Sequence, residues 1–135
     1  DNGIPVMGHV GFTPQTVHAL SGFKVQGRSD EDALRITKEC LDIEEAGAFA
    51  IVLEMVPAAL ANSISEKLRI PTIGIGAGSG CDAQILVWQD FAGLSAKTPS
   101  FAKSYLSLRQ QLSQAASAYR NDVIAGDFPS SEQSF

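Results

Sequence analysis

Positive charge, cysteine and long apolar runs are all scarce in this chain. Ten Lys and Arg stand against fifteen Asp and Glu, a net charge of −5 over 135 residues, and the basic residues form no cluster. Contacts to nucleic-acid phosphates or an anionic membrane need concentrated positive charge, so neither is an expected partner and the substrate is expected to be small. The two cysteines, Cys40 and Cys81, belong to no CxxC or Cys/His pattern. Neither a disulfide framework nor a zinc site is indicated, and a reducing compartment fits. No apolar run approaches the roughly 20 residues that a membrane span needs. The opening Asp1-Asn2-Gly3 lacks the charged-then-apolar order of a signal peptide, so the expected location is cytoplasmic. The composition, 44% hydrophobic and 19% charged, suffices for one globular domain with a real core.

The most informative stretch is Ala48-Phe49-Ala50-Ile51-Val52-Leu53-Glu54-Met55-Val56-Pro57. Its length, its β-branched content and the flanking Gly47 and Pro57 predict a buried strand with Glu54 at its C-terminal tip. Alternation puts Ala50, Val52 and Glu54 on one face and the bulkier Phe49, Ile51 and Leu53 on the other, the face suited to packing on helices. A carboxylate among apolar residues costs desolvation energy unless it is paired or neutral, and one so placed suits proton abstraction.

Before it, Ile4–His9 reads as a first strand ending in His9, an imidazole suited to proton transfer near neutral pH. Thr13-Pro14 opens a short helix to about Leu20. Lys24 and Arg28, on the loop that follows, are weak candidates for anion contacts. Ser29 caps the acidic turn Asp30-Glu31-Asp32, and a long helix follows with Ala33, Ile36, Cys40 and Ile43 inward, Leu34 and Leu41 widening that face, and Gly47 as the stop. A second helix carries Leu60, Ile64 and Leu68 and breaks at Ile70-Pro71.

Thr72–Gly76 is the third strand, its isoleucines facing one way and Thr72, Gly74 and Gly76 the other, so that one face is nearly bare. The loop continues through Ala77, Gly78, Ser79 and Gly80. Its glycines would let backbone N–H groups approach an anion or a flat ring, which makes Gly74, Gly76 and Gly78 the candidate contacts to substrate or cofactor. Tight backbone packing is the alternative. Ile85–Trp88 reads as a fourth strand with Asp90 at its tip. The last element is a long helix after Ser100, with Phe101, Tyr105, Leu108, Leu112, Ala115, Tyr119 and Val123 on one face and its stop before Gly126. Strands alternating with helices specify right-handed βαβ units and a parallel sheet, and four such strands match half of a (β/α)₈ barrel, whose sites lie where the strand tips converge.

The segments Ile4–Gln15 (IPVMGHVGFTPQ), Gly22–Arg28 (GFKVQGR), Val52-Leu53-Glu54 and Ile73–Gly78 (IGIGAG) together resemble the ketopantoate hydroxymethyltransferase family, and the resemblance runs in order through the whole chain. It implies the C-terminal half of a TIM barrel of the phosphoenolpyruvate/pyruvate type, residues 1–135 supplying strands 5 to 8, with the N-terminal half as a missing partner. It implies transfer of a hydroxymethyl group from 5,10-methylenetetrahydrofolate to the 2-keto acid α-ketoisovalerate, Mg²⁺ as metal, a cytoplasmic homo-oligomer (a decamer in the family), and inactivity of this half alone. By the same resemblance Glu54 is the proton acceptor and His9 lies beside the reacting carbon. Chelation by Mg²⁺ would acidify the C–H that Glu54 deprotonates, with the metal ligands in the absent half.

Gln89 and Gln133 stand where family members often have His, Phe12 where Leu is usual, and Ser21 where Gly is common. Two other readings share the pattern: another Mg²⁺-dependent lyase or mutase of 2-keto acids on the same barrel, or a half barrel that serves oligomerisation alone.

Overall fold

A computed structural model describes residues 3–13 and 25–135, which leaves most of the expected Thr13–Leu20 helix, with Lys24, outside the described residues. The chain divides into two compact units, Asp1–Ile85 and Leu86–Phe135. The first unit holds an all-parallel, four-stranded sheet of β1 (Met7–Gly11), β2 (Ala50–Glu54), β3 (Thr72–Ile75) and β4 (Ala83–Gln84), ordered β1-β2-β3-β4. Helix α1 (Asp30–Glu45) lies between β1 and β2, and α2 (Ala58–Lys67) between β2 and β3. Because neighbours in the sheet are neighbours in sequence, every crossover steps the same way, as in a barrel wall; a doubly wound sheet reverses at a switch point.

Register decides what faces the site. His9 pairs with Val52 and Gly11 with Glu54, while Ile51 pairs with Thr72, Leu53 with Gly74 and Glu54 with Ile75. Residues so paired share a face of the sheet. Val10, Ile51, Leu53, Thr72 and Gly74 therefore face one way, and His9, Val52, Glu54, Ile73 and Ile75 the other. The first face is the helix side: Val10, Ile51 and Leu53 form the core with Ile36 and Cys40 of α1 and Ala61 and Ile64 of α2. Ile51 and Leu53 are completely buried, and truncating either to Ala should cost about 2–5 kcal/mol.

Helix α1 starts and stops as its sequence signals dictate. The Ser29 hydroxyl accepts from the Asp32 N–H at 3.2 Å, and Gly47, just past the end, takes φ +93°, a left-handed stop that glycine adopts without strain. Leu34 and Leu41 do not join the inward face; they are 72% and 41% exposed, because Ile36 and Cys40 already fill the stripe over the sheet.

Three expected boundaries are corrected. The first strand runs Met7–Gly11 rather than Ile4–His9, so His9 is a mid-strand residue. The fourth strand is Ala83–Gln84, and Trp88 opens the short helix α3 (Trp88–Phe91) of the second unit rather than closing a strand. There the N–H groups of Asp90 and Phe91 turn back onto the Val87 carbonyl. The long helix α4 spans Leu108–Ala125 and does not begin near Phe101. The N–H groups of Tyr105, Leu108 and Arg109 donate instead to the carbonyls of Phe91, Ala92 and Gly93. These bonds satisfy carbonyls at the open C-terminal end of α3 and the first free N–H groups of α4, and the Tyr105 bond engages the chain before Leu108 outside the helix.

Candidate functional site

Two of the predicted site residues meet. His9 Nε2 lies 3.0 Å from Glu54 Oε2, on the sheet face that points away from α1 and α2. When Glu54 is a carboxylate, which only accepts, this bond requires the hydrogen on Nε2 as its donor. The glutamate side chain is 15% exposed and the imidazole 35%, a half-sheltered pair. Its neighbours on this face are apolar: Val52 precedes Glu54 by two residues and Ile75 is its register partner on β3.

The backbone around Glu54 is held from three directions. Its carbonyl accepts from the Phe12 N–H at 2.8 Å, the next N–H, of Met55, donates to the Ile75 carbonyl at 2.9 Å, and the Met55 carbonyl accepts from the Gln26 N–H at 2.9 Å. The first bond needs a glycine. Gly11 has φ +97°, and a Cβ there would sit 2.2 Å from the Glu54 carbonyl oxygen. Met55 itself has φ +51°, the one non-glycine residue with positive φ among those described. A bulky residue in the left-handed region is an outlier, and such outliers cluster at functional sites. Sequence reasoning missed Met55 because methionine carries no turn signal, and it missed Ile75 because alternation within β3 does not say which of its faces meets Glu54.

The glycines of the third strand lie elsewhere. Gly74 shares the helix-side face with Thr72, and a Cβ on it would meet the Gln84 and Cys81 side chains. A Cβ on Gly78 would fall 2.4 Å from the Ala58 Cβ at the start of α2. These two positions let backbone pack closely on side chains and helix, and the bare face of β3 is not the face that carries Glu54. The reason is visible at Thr72, completely buried and turned to α2, where its hydroxyl lies 2.7 Å from Ser65 Oγ. Gly76, one residue beyond β3, has φ +63°.

The remaining polar groups serve structure. Asp82 accepts from the Thr72 N–H and hydroxyl, both at 2.8 Å, and these bonds hold its carboxyl below the usual range. Asp90, expected at a strand tip, belongs to the second unit, where it is buried and accepts from the Ser95 hydroxyl. Burial pushes the Cys40 thiol up to about 12, which makes it inert as a nucleophile. Arg28 is exposed. A cleft of about 570 Å³ in the second unit, bordered by Ser104, Arg109 and Gln114, contains none of the predicted site residues. Among the described residues no group of three or more His, Cys, Asp or Glu side chains could hold a metal ion. Nor is any helix among them long and apolar enough to cross a membrane.

A carboxylate bonded to an imidazole on adjacent parallel strands, Glu54 at the C-terminal tip of β2 and His9 midway along β1, in a sheet that steps one way, is an arrangement suited to proton transfer on a barrel-type α/β fold. The family follows from comparison with known proteins. The model of the ketopantoate hydroxymethyltransferase family matches residues 1–131, and the chain belongs to that family. It is 57% identical over 134 residues to the 3-methyl-2-oxobutanoate hydroxymethyltransferase of Frankia casuarinae, covering 98% of this chain and 45% of that protein. With the protein of that name from Acidothermus cellulolyticus the identity is 58% over 134 residues, covering 98% and 49%. The chain thus spans about half the length of these relatives. Its parallel sheet with flanking helices fits part of the phosphoenolpyruvate/pyruvate-type barrel of the family.

Proposed function

We propose that these residues supply the proton-abstracting side of a 3-methyl-2-oxobutanoate hydroxymethyltransferase, which makes ketopantoate from α-ketoisovalerate and 5,10-methylenetetrahydrofolate for pantothenate biosynthesis. The observation that carries the reading is the 3.0 Å bond between His9 and Glu54, in a chain of this family. With Oε2 engaged by His9, Oε1 is the oxygen assigned to the methine proton of the keto acid. Removal of that proton leaves an enolate whose carbon attacks the one-carbon unit. The net reaction consumes one water and releases tetrahydrofolate. His9 holds the carboxylate in one rotamer and stabilises its charge before the transfer. The apolar neighbours Val52 and Ile75 limit competing solvation of the carboxylate.

Magnesium, a cytoplasmic location, homo-oligomeric assembly and completion of the site by chain outside these residues belong to the same proposal. The described residues offer no group of three or more His, Cys, Asp or Glu side chains for the metal. The test is product formation by the complete enzyme with and without 5,10-methylenetetrahydrofolate. Folate-dependent appearance of ketopantoate supports the reading, whereas cleavage or rearrangement of a 2-keto acid without folate would replace it with a lyase or mutase of the same barrel.

A further inference from the structure

We propose that Met55 is a positioning residue, and that its left-handed backbone, rather than its thioether side chain, sets where the Glu54 carboxylate points. The inference rests on the role given to Glu54 above. Met55 has φ +51° immediately after the candidate base. A residue with a Cβ has only a small allowed basin at positive φ, whereas glycine has several broad ones. A methionine held in that basin therefore leaves the Glu54–Met55 corner a single geometry.

The surroundings hold it there. The Met55 N–H and carbonyl are bonded to Ile75 on β3 and to Gln26 before α1, and the Glu54 carbonyl is bonded to Phe12 after β1. The next residue, Val56, is 2% exposed, and Pro57 follows as the N-cap of α2. Phe12 and Ile75 hold the two sides of the peptide group that follows Glu54, and Gln26 holds the next one, so the peptides on both sides of Met55 are fixed. Strain at Met55 is thus maintained by packing on both sides, and it secures a carboxylate direction that meets His9 Nε2. A purely structural corner would more simply use glycine, which takes positive φ without strain.

The experiment compares Met55→Gly and Met55→Asn in the complete enzyme, because both remove the thioether but only asparagine keeps a Cβ and tolerates the left-handed region. Glycine at this position relieves strain, so folding is not threatened and the melting temperature should hold or rise. Deuterium exchange at the methine carbon of α-ketoisovalerate should fall roughly 10–100-fold in kcat for Met55→Gly, with KM for the keto acid within about twofold. Met55→Asn should keep kcat within about threefold of the parent. The Phe12 amide should exchange with solvent faster in the glycine variant, because the carbonyl it bonds to is freer to move. Parental kcat in Met55→Gly would overturn the proposal, and so would equal losses in the two variants, which would place the effect in the side chain. If the parent enzyme itself exchanges no deuterium, the role given to Glu54 falls first, and this inference with it.

Discussion

Replacing Gly11 with alanine should damage both the fold and the site, by an amount that can be separated from backbone strain. Gly11 and Gly47 have nearly the same φ, +97° and +93°, but their surroundings differ: a Cβ on Gly47 meets nothing within 4 Å, while one on Gly11 lies 2.2 Å from the Glu54 carbonyl oxygen and 2.9 Å from Val56 Cγ1. Gly47→Ala therefore reports strain alone, about 1–2 kcal/mol. Gly11→Ala carries a similar strain, and the backbone oxygen it meets, 2.2 Å away, must also move by more than about 1 Å to reach an ordinary contact distance. That movement breaks the 2.8 Å bond from the Phe12 N–H to the Glu54 carbonyl, adding about 1–3 kcal/mol for a buried donor left unpaired. The expected totals are roughly 2–5 kcal/mol for Gly11→Ala and roughly 1–2 for Gly47→Ala. Denaturant unfolding of the complete protein measures both. Exchange of the keto-acid methine hydrogen should fall about a hundredfold or more in Gly11→Ala and stay unchanged in Gly47→Ala. Equal stability losses in the two variants, or parental exchange in Gly11→Ala, would refute the claim that Gly11 is there to admit the Glu54 carbonyl.

Gly78→Ala should destabilise the protein both through the left-handed backbone of Gly78, φ +77°, and by crowding the Ala58 Cβ, 2.4 Å from the added methyl, and Ala58→Gly in the same molecule should relieve the crowding but not the strain, a coupling that a double-mutant cycle of unfolding free energies would expose. Thr72→Val should cost about 1–3 kcal/mol, since it removes a buried hydroxyl that donates to Asp82. The carboxyl groups of Asp32, Glu44 and Asp82 are all held below their usual range, first by backbone N–H donors from Gly27, Arg69 and Thr72 respectively. The unfolded chain therefore takes up these protons at higher pH than the folded one, so stability is flat above the ordinary carboxylate range and falls as the pH drops through it. Thr72→Val should make that fall shallower in an unfolding series from neutral to acid pH. His9→Ala should slow methine exchange less than Glu54→Gln does, because the imidazole orients the base and does not take the proton; an equal loss would reverse that ranking.

Much of the fold was legible because its signals are local. The apolar run from Ala48 to Glu54, the Ser29 cap and the Gly47 stop each declare an element without help from the rest of the chain, and successive βαβ units leave a one-way parallel sheet as the natural outcome. The meeting of His9 and Glu54 was also within reach, since the sequence puts both on neighbouring strands toward their C-terminal ends, although His9 proves to lie midway along β1, in register with Val52. What escaped depends on non-local contacts. Alternation in Thr72–Ile75 is symmetric until register and the Ser65–Thr72 contact decide which face meets the helices, and the choice puts Ile75, not Gly74, beside the carboxylate. The apolar Ile85–Trp88 run looks like a strand, yet Trp88 opens α3. The stripe through Phe101 and Tyr105 continues the period of α4, but the Tyr105 N–H is taken up by the Phe91 carbonyl and the Ala102 N–H by Pro99. Met55 could not have been found from sequence at all, since its conformation is imposed by partners on three other segments.

The most direct test of Glu54 as the base is deuterium exchange at the methine carbon of α-ketoisovalerate, followed by NMR in the complete enzyme without folate, for the parent and Glu54→Gln. The amide keeps the size of the side chain and can still pair with His9, so substrate binding should be nearly unchanged while exchange falls by about 10²–10⁴-fold. Near-parental exchange in Glu54→Gln would contradict the account and remove Glu54 from the role of base.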